Sequence, residues 1–172
     1  PTSLLTFGRG ELSVFDESNY FISRDDVYPI GSFYIEHMAG VVQPVAEVDE
    51  LRGRYRLLVG IAGQDPHDHL LMPFIKTAAE KDDSIGYIHI PRYKKKEDYA
   101  SYGLPGNVHF IPNQNFHQLI VHMDYHCTIN STTALEAPSL GVKNIMLNIE
   151  NRARNYFEAL LTDERTTVFV NT

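Results

Sequence analysis

From Tyr55 onward the chain alternates between short uninterrupted apolar runs and longer segments whose apolar residues recur at helical spacing. Arg56-Leu57-Leu58-Val59-Gly60-Ile61-Ala62-Gly63 is the cleanest run, as expected of a strand covered on both faces. Behind it, Asp65-Pro66 opens a helix with proline in its first turn. Leu70, Leu71, Phe74, Ile75 and Ala78 carry the helical spacing to about Lys81. Further strands are predicted at Ile85–Ile90, Val108–Ile111, Cys127–Ile129, Asn144–Ile149 and Thr167–Val170. Between them fall a short helix around Glu97 to Tyr102 and a helix capped by Asn115 that carries Phe116, Leu119, Ile120 and Met123. Later helices open through Ala134 to Ala137 and carry Ala153, Tyr156, Phe157, Leu160 and Leu161.

The first fifty residues are less regular. Leu4 to Phe7 reads as a strand ending in the turn Gly8-Arg9-Gly10, and Glu11 to Asn19 as a short helix. Val27 to Ser32 is a second strand and turn, whose Pro29 points to a sheet edge. Ile35 to Val42 fits neither template, and Gln43 to Arg54 reads as a polar connector with one helical turn. The expected division is therefore 1–50 as lead-in strands and connector, and 51–172 as a Rossmann-like domain.

Strands alternating with helices at this spacing imply an α/β, three-layer domain with a mostly parallel sheet and right-handed crossovers. Such sheets bind ligands beyond the carboxyl ends of their strands. That rule selects four loops: Gly63-Gln64-Asp65, His89 to Arg92, Pro112-Asn113, and Asn130 to Thr133.

The last of these lies in Tyr125 to Gly141, YHCTINSTTALEAPSLG. A buried strand, a hydroxyl-rich turn (Asn130, Ser131, Thr132, Thr133) and a helix start together make an anion site, because free backbone N–H groups converge there. The same residues have a purely structural reading. Thr133 and Glu136 match the [ST]-x-x-E capping box, which satisfies a helix end with no ligand. One cap needs one hydroxyl, however, and this turn supplies three after an Asn. Pro138 removes a helical hydrogen bond, so the helix must be short or kinked, with Gly141 as its stop.

Composition narrows the function classes. A formal net charge of −7 argues against a nucleic-acid partner held by bulk charge, and the one basic run, Arg92-Tyr93-Lys94-Lys95-Lys96, is local. No apolar stretch approaches the roughly 20 residues of a membrane span. A single cysteine, Cys127, precludes an internal disulfide and suits a reducing compartment, so the expected location is the cytoplasm. The opening at Pro1 suggests a piece of a longer protein. His67-Asp68-His69 offers metal-ligand types, but neighbours on a helix point apart, so it reads as a solvated helix start. His122, Asp124 and His126 read as boundary residues between a helix and a strand.

Ser131-Thr132-Thr133-Ala134-Leu135-Glu136-Ala137, then Leu140-Gly141, resembles the S-[ST]-x-x-x-E-A-x-x-x-G signature of the carboxy-terminal, donor-binding domain of GT-B glycosyltransferases. These include, notably, the bacterial capsule and teichoic-acid polymerases. The histidine His89, the strand Asn107-Val108-His109-Phe110-Ile111-Pro112 and the lead-in Val27 to Tyr34 are similar too. Here His89-Ile90-Pro91-Arg92 is one residue longer than the family's His-Pro. Glu136 to Gly141 also resembles a segment of the non-hydrolysing UDP-N-acetylglucosamine 2-epimerases, which share the GT-B architecture. Their paired glycines and Arg-rich loop are replaced here by Ser131-Thr132-Thr133 and Gly63-Gln64-Asp65.

The transferase resemblance implies one half of a GT-B fold that binds a nucleotide-sugar donor; the alternatives are a 2-epimerase-like enzyme and a catalytically silent nucleotide-binding module. Catalytic roles would fall to His89 and Arg92. Gly63, Gln64, Pro112, Asn113, Asn130, Ser131, Thr132, Thr133 and Glu136 would bind the nucleotide, with Pro112 and Asn113 at the base and Glu136 at the ribose. It implies no cofactor and no metal. A glycan acceptor would be brought by a missing amino-terminal domain, and peripheral membrane association of a longer protein is left open.

Overall fold

The computed structural model describes residues 3–12, 15, 22–111 and 113–171. The helix expected over Glu11 to Asn19 lies largely outside them; Arg9–Glu11 forms a 3-10 turn. Strands β1 (Leu4–Thr6) and β2 (Val27–Pro29) pair in parallel as a separate two-stranded sheet. Helix α1 (Phe33–Val41) follows, its Ser32 Oγ accepting the Ile35 N–H at 3.3 Å. The stretch that fitted neither template is thus a helix with an ordinary cap. The supposed connector is also a helix, α2 (Ala46–Arg54), with Val45, Val48 and Leu51 buried in the core. Its apolar residues are too sparse to stand out from the charges around them.

The main sheet has six strands, all parallel: β3 (Leu57–Ala62), β4 (Ile85–Ile90), β5 (Val108–His109), β6 (Tyr125–Thr128), β7 (Lys143–Asn148) and β8 (Thr167–Asn171). Their order is β5-β4-β3-β6-β7-β8. Helices α3 (Asp68–Lys81), α4 (Phe116–Ile120), α5 (Thr133–Glu136) and α6 (Arg152–Phe157) pack on its two faces. The strand alternation divides the core. Leu58, Ile88 and Ile90 face α2 and α4, while Val59, Ile61 and Tyr87 face Leu71, Met72 and Ile75 of α3. Gly60 is required by close packing: a Cβ there would lie 2.7 Å from Ile120 Cδ1 and 3.0 Å from Met123 Cγ.

The short-helix expectation around Pro138 holds. Helix α5 gives way to a 3-10 turn over Ala137–Leu140, and Gly141 stops it at φ 82 with its N–H on Pro138 O. The helix over 153–161 is shorter than its apolar spacing suggests, ending at Phe157.

The strand order positions the site. The chain runs outward from β3 through β4 to β5, then returns to the other side of β3 and continues through β6 to β8. Loops after β3 and β6 therefore leave in opposite directions, which makes this point the switch in the sheet. One strip remains uncovered on the opening segment. Phe7 is 66% and Phe33 73% exposed, and with Leu5, Ile30 and Tyr34 they line a groove of about 260 Å³.

Candidate functional site

The β3–β6 register pairs Ile61 with Cys127 and brings Gln64 and Asn130 out of the sheet at the same level, three residues on. On the other side of β3, His89 pairs with Ile61. Around this edge, five side-chain atoms are buried with no hydrogen-bond partner among the described residues. They are Gln64 Oε1, Asp65 Oδ1, Asn130 Oδ1 and both ring nitrogens of His89. Natural interiors pair nearly all such groups, so their concentration at this edge marks it as the candidate site.

His89 is 1% exposed and lies between Tyr99 and Phe110, both edge-on, with ring centroids at 4.5 and 5.2 Å. Burial depresses its pKa to about 4. At neutral pH the ring is uncharged, able to donate or accept a hydrogen bond but not to act as a cation. Gly63 makes room for it, since a Cβ there would stand 2.7 Å from His89 Cε1.

Asp68, expected at a solvated helix start, has no exposed surface. Its Oδ1 accepts the Gln64 N–H at 3.0 Å; its Oδ2 accepts Tyr99 OH at 2.8 Å and Lys94 Nζ at 3.2 Å. The carboxylate thus ties together the loop after β3, the loop after β4 and the 3-10 turn over Lys96–Tyr102. Burial and the bond to Asp68 push the Tyr99 hydroxyl far above the ordinary tyrosine range. His69, beside Asp68 in sequence, is exposed.

On the β6 side, His126 is wholly buried and burial depresses its pKa to about 4. Asn144 Nδ2 donates to Ala134 O at 2.8 Å and to Thr167 Oγ1 at 3.2 Å, which turns Asn144 Oδ1 toward His126 Nδ1 at 2.7 Å. Nδ1 therefore carries the proton, and Nε2 accepts from the Thr133 hydroxyl 3.1 Å away. Ser131 Oγ lies 2.9 Å from Thr133 Oγ1. These two alcohols are engaged with the interior, while Thr132 is exposed. The capping box does not form: neither Thr132 nor Thr133 caps the helix, and Glu136 Oε2 instead meets His117 Nε2 at 2.7 Å.

The remaining predicted residues lie around the same edge. Arg92 is exposed with its guanidinium 5.1 Å from the Tyr93 ring centroid. Asn113 takes a left-handed conformation at φ 61, and Pro112 lies outside the described residues.

Sequence reasoning missed Asp68, Tyr99, Lys94 and His126. For Asp68 the only local signal was a carboxylate four residues after Gln64, and it does not announce burial. His126 carried a clearer one, alternating with Thr128 in a strand.

Neither a protein-family model nor a curated protein sequence matches this chain. Solved structures do. A UDP-N-acetylglucosamine 2-epimerase described as putative, from Listeria monocytogenes, matches with TM-score 0.58 and 17% identity, over 78% of this chain and 39% of its own. The S. aureus MnaA structure with UDP matches with TM-score 0.59 and 16% identity, over 90% of this chain and 50% of its own. The wall teichoic acid polymerase TagF matches with TM-score 0.56 and 12% identity, over 97% of this chain and 45% of its own. This chain spans half or less of each. What they share with it is the fold: a six-stranded parallel α/β domain matching one half of GT-B-like structures. Among the described residues, no helix is long and apolar enough to cross a membrane.

Proposed function

We propose that this domain is the donor-binding half of a glycosyltransferase that takes a sugar from a nucleotide-sugar in bacterial surface polysaccharide synthesis. The observation that carries this is the cluster of unpartnered buried polar atoms at the switch between β3 and β6. Each such group costs about 1–3 kcal/mol when left unpaired. A polyhydroxylated, phosphate-bearing ligand, admitted as the loops part, supplies both donors and acceptors to offset that cost.

In this scheme the backbone of the Asn130 to Thr133 turn and the Thr132 hydroxyl meet the phosphate, beside Gly63 and Gln64. Ser131 and Thr133 hold the turn through His126. His89 acts as a neutral hydrogen-bonding group near the leaving phosphate, and Arg92 as a mobile cation. Pro112 and Asn113 flank the base, and Glu136, oriented by His117, reaches the ribose hydroxyls. No metal takes part. The acceptor arrives on a second, amino-terminal domain.

Calorimetric titration with CMP, CDP and UDP tests the binding. The expected outcome is weak nucleotide binding and no turnover by this chain alone. Unchanged amide resonances at Ser131 to Thr133 under saturating nucleotide would overturn the placement. Similarity in fold to UDP-N-acetylglucosamine 2-epimerase structures supports a second reading, a UDP-N-acetylglucosamine 2-epimerase-like enzyme. Conversion of UDP-N-acetylglucosamine to its C2 epimer with the sugar still joined to UDP, in the absence of an acceptor, would favour it.

A further inference from the structure

We propose that Lys94, held from behind by the buried carboxylate of Asp68, is a second, fixed cation, beside the mobile Arg92, that meets the phosphate of a bound nucleotide. This rests on the nucleotide-binding reading above. The loop after β4 carries Arg92, Lys94, Lys95 and Lys96 on a chain of net charge −7. Of these, Arg92, Lys95 and Lys96 are exposed and have no ion-pair partner among the described residues. Lys94 differs. Its Nζ sits 3.2 Å from Asp68 Oδ2, with its side chain about a third exposed while that of Asp68 is 1% exposed.

The anchor is itself rigid. Asp68 is fixed by the Gln64 N–H and by Tyr99 OH. Lys94 Nζ lies 5.8 Å from the centroid of the Tyr99 ring, and that ring packs on His89. A lysine normally surrenders much side-chain freedom when it grips an anion. Lys94 has surrendered it already, to a carboxylate that occupies one of its three N–H donors and leaves the others for a ligand. The same loop thus separates two kinds of cation: free ones that raise the local anion concentration, and one fixed beside His89 where a phosphate of the nucleotide would lie.

The test compares UDP with uridine by nuclear magnetic resonance titration of the full chain and of three variants: Lys94→Met, Lys94→Arg and the charge-neutral double variant Asp68→Asn/Lys94→Met. Loss of a charge-assisted hydrogen bond should weaken UDP binding about ten- to a hundredfold in Lys94→Met and in the double variant. Uridine affinity should stay within twofold, and Lys94→Arg should recover most of the loss. The double variant decides the matter if Lys94→Met, with Asp68 left unpaired in the interior, fails to fold. UDP affinity unchanged in the folded variants, or an equal loss for UDP and uridine, would overturn the assignment of Lys94 alone. An unaltered chain that binds neither UDP nor CDP would overturn both this assignment and the nucleotide reading beneath it.

Discussion

Lowering the pH from 7 to 5 should cost this domain about 4 kcal/mol of stability, shared between His126 and His89. Both are buried, and desolvation holds each near a pKa of about 4, below the ordinary value of 6.5. The unfolded chain takes up a proton at each ring as the pH falls through 6.5, whereas the folded chain does not until about 4. Their contribution is therefore complete above pH 6.5 and lost progressively down to about pH 4. At pH 5 an unfolded histidine is almost fully protonated and a folded one about a tenth so, a difference of roughly 1.5 decades, or about 2 kcal/mol per ring. His109, pushed down by burial, adds in the same direction. Asp82 and Asp163, held low by hydrogen bonds from Ser84 and Arg165, act only in more acid solution. Urea unfolding followed by circular dichroism at pH 7, 6 and 5 measures the loss. His126→Asn keeps a donor for Asn144 Oδ1 but removes the titrating ring, so it should lose about half of the slope. Stability that stays flat from pH 7 to 5 would refute the argument, as would a His126 Cε1 proton titrating near 6.5 in the folded state.

Four further outcomes follow from the same edge of the sheet. Gly63→Ala places a Cβ against a His89 ring already confined by Tyr99 and Phe110, and should cost about 1–3 kcal/mol in urea unfolding. Tyr99→Phe leaves Asp68 with two donors in place of three and should cost about 1–2 kcal/mol, read as a lower thermal midpoint. Thr133→Ala leaves His126 Nε2 unsatisfied and should cost about 1–3 kcal/mol. Thr132→Ala, at an exposed hydroxyl, should stay within about 0.5 kcal/mol while weakening nucleotide binding in a calorimetric titration.

The roles proposed for the turn after β6 show where a local pattern stops being informative. Three hydroxyls in a row look equivalent in the sequence. The fold separates them, because a histidine lies beneath the turn and claims Thr133, which engages Ser131 in turn. Likewise the four-residue match of Thr133 and Glu136 to a helix cap lost to a tertiary partner, since His117 from α4 lies within 2.7 Å of the carboxylate. Asp68 is the sharpest case: a charge in a polar helix start is ordinarily solvated, and it is buried only because Lys94 and Tyr99 arrive from the next loop.

The sequence by itself determined the layered α/β architecture and the positions of the sheet strands. It could do so because strand and helix periodicity, proline, and glycine stops act within a few residues of one another. Tertiary structure alone decided the strand order that puts the switch point between β3 and β6. It also decided that α2 belongs to the core, and which polar side chains face inward with their charges neutralised. Those outcomes depend on desolvation and on partners 20 to 70 residues away, such as the 66 that separate Thr128 from Ala62, and no local pattern encodes them.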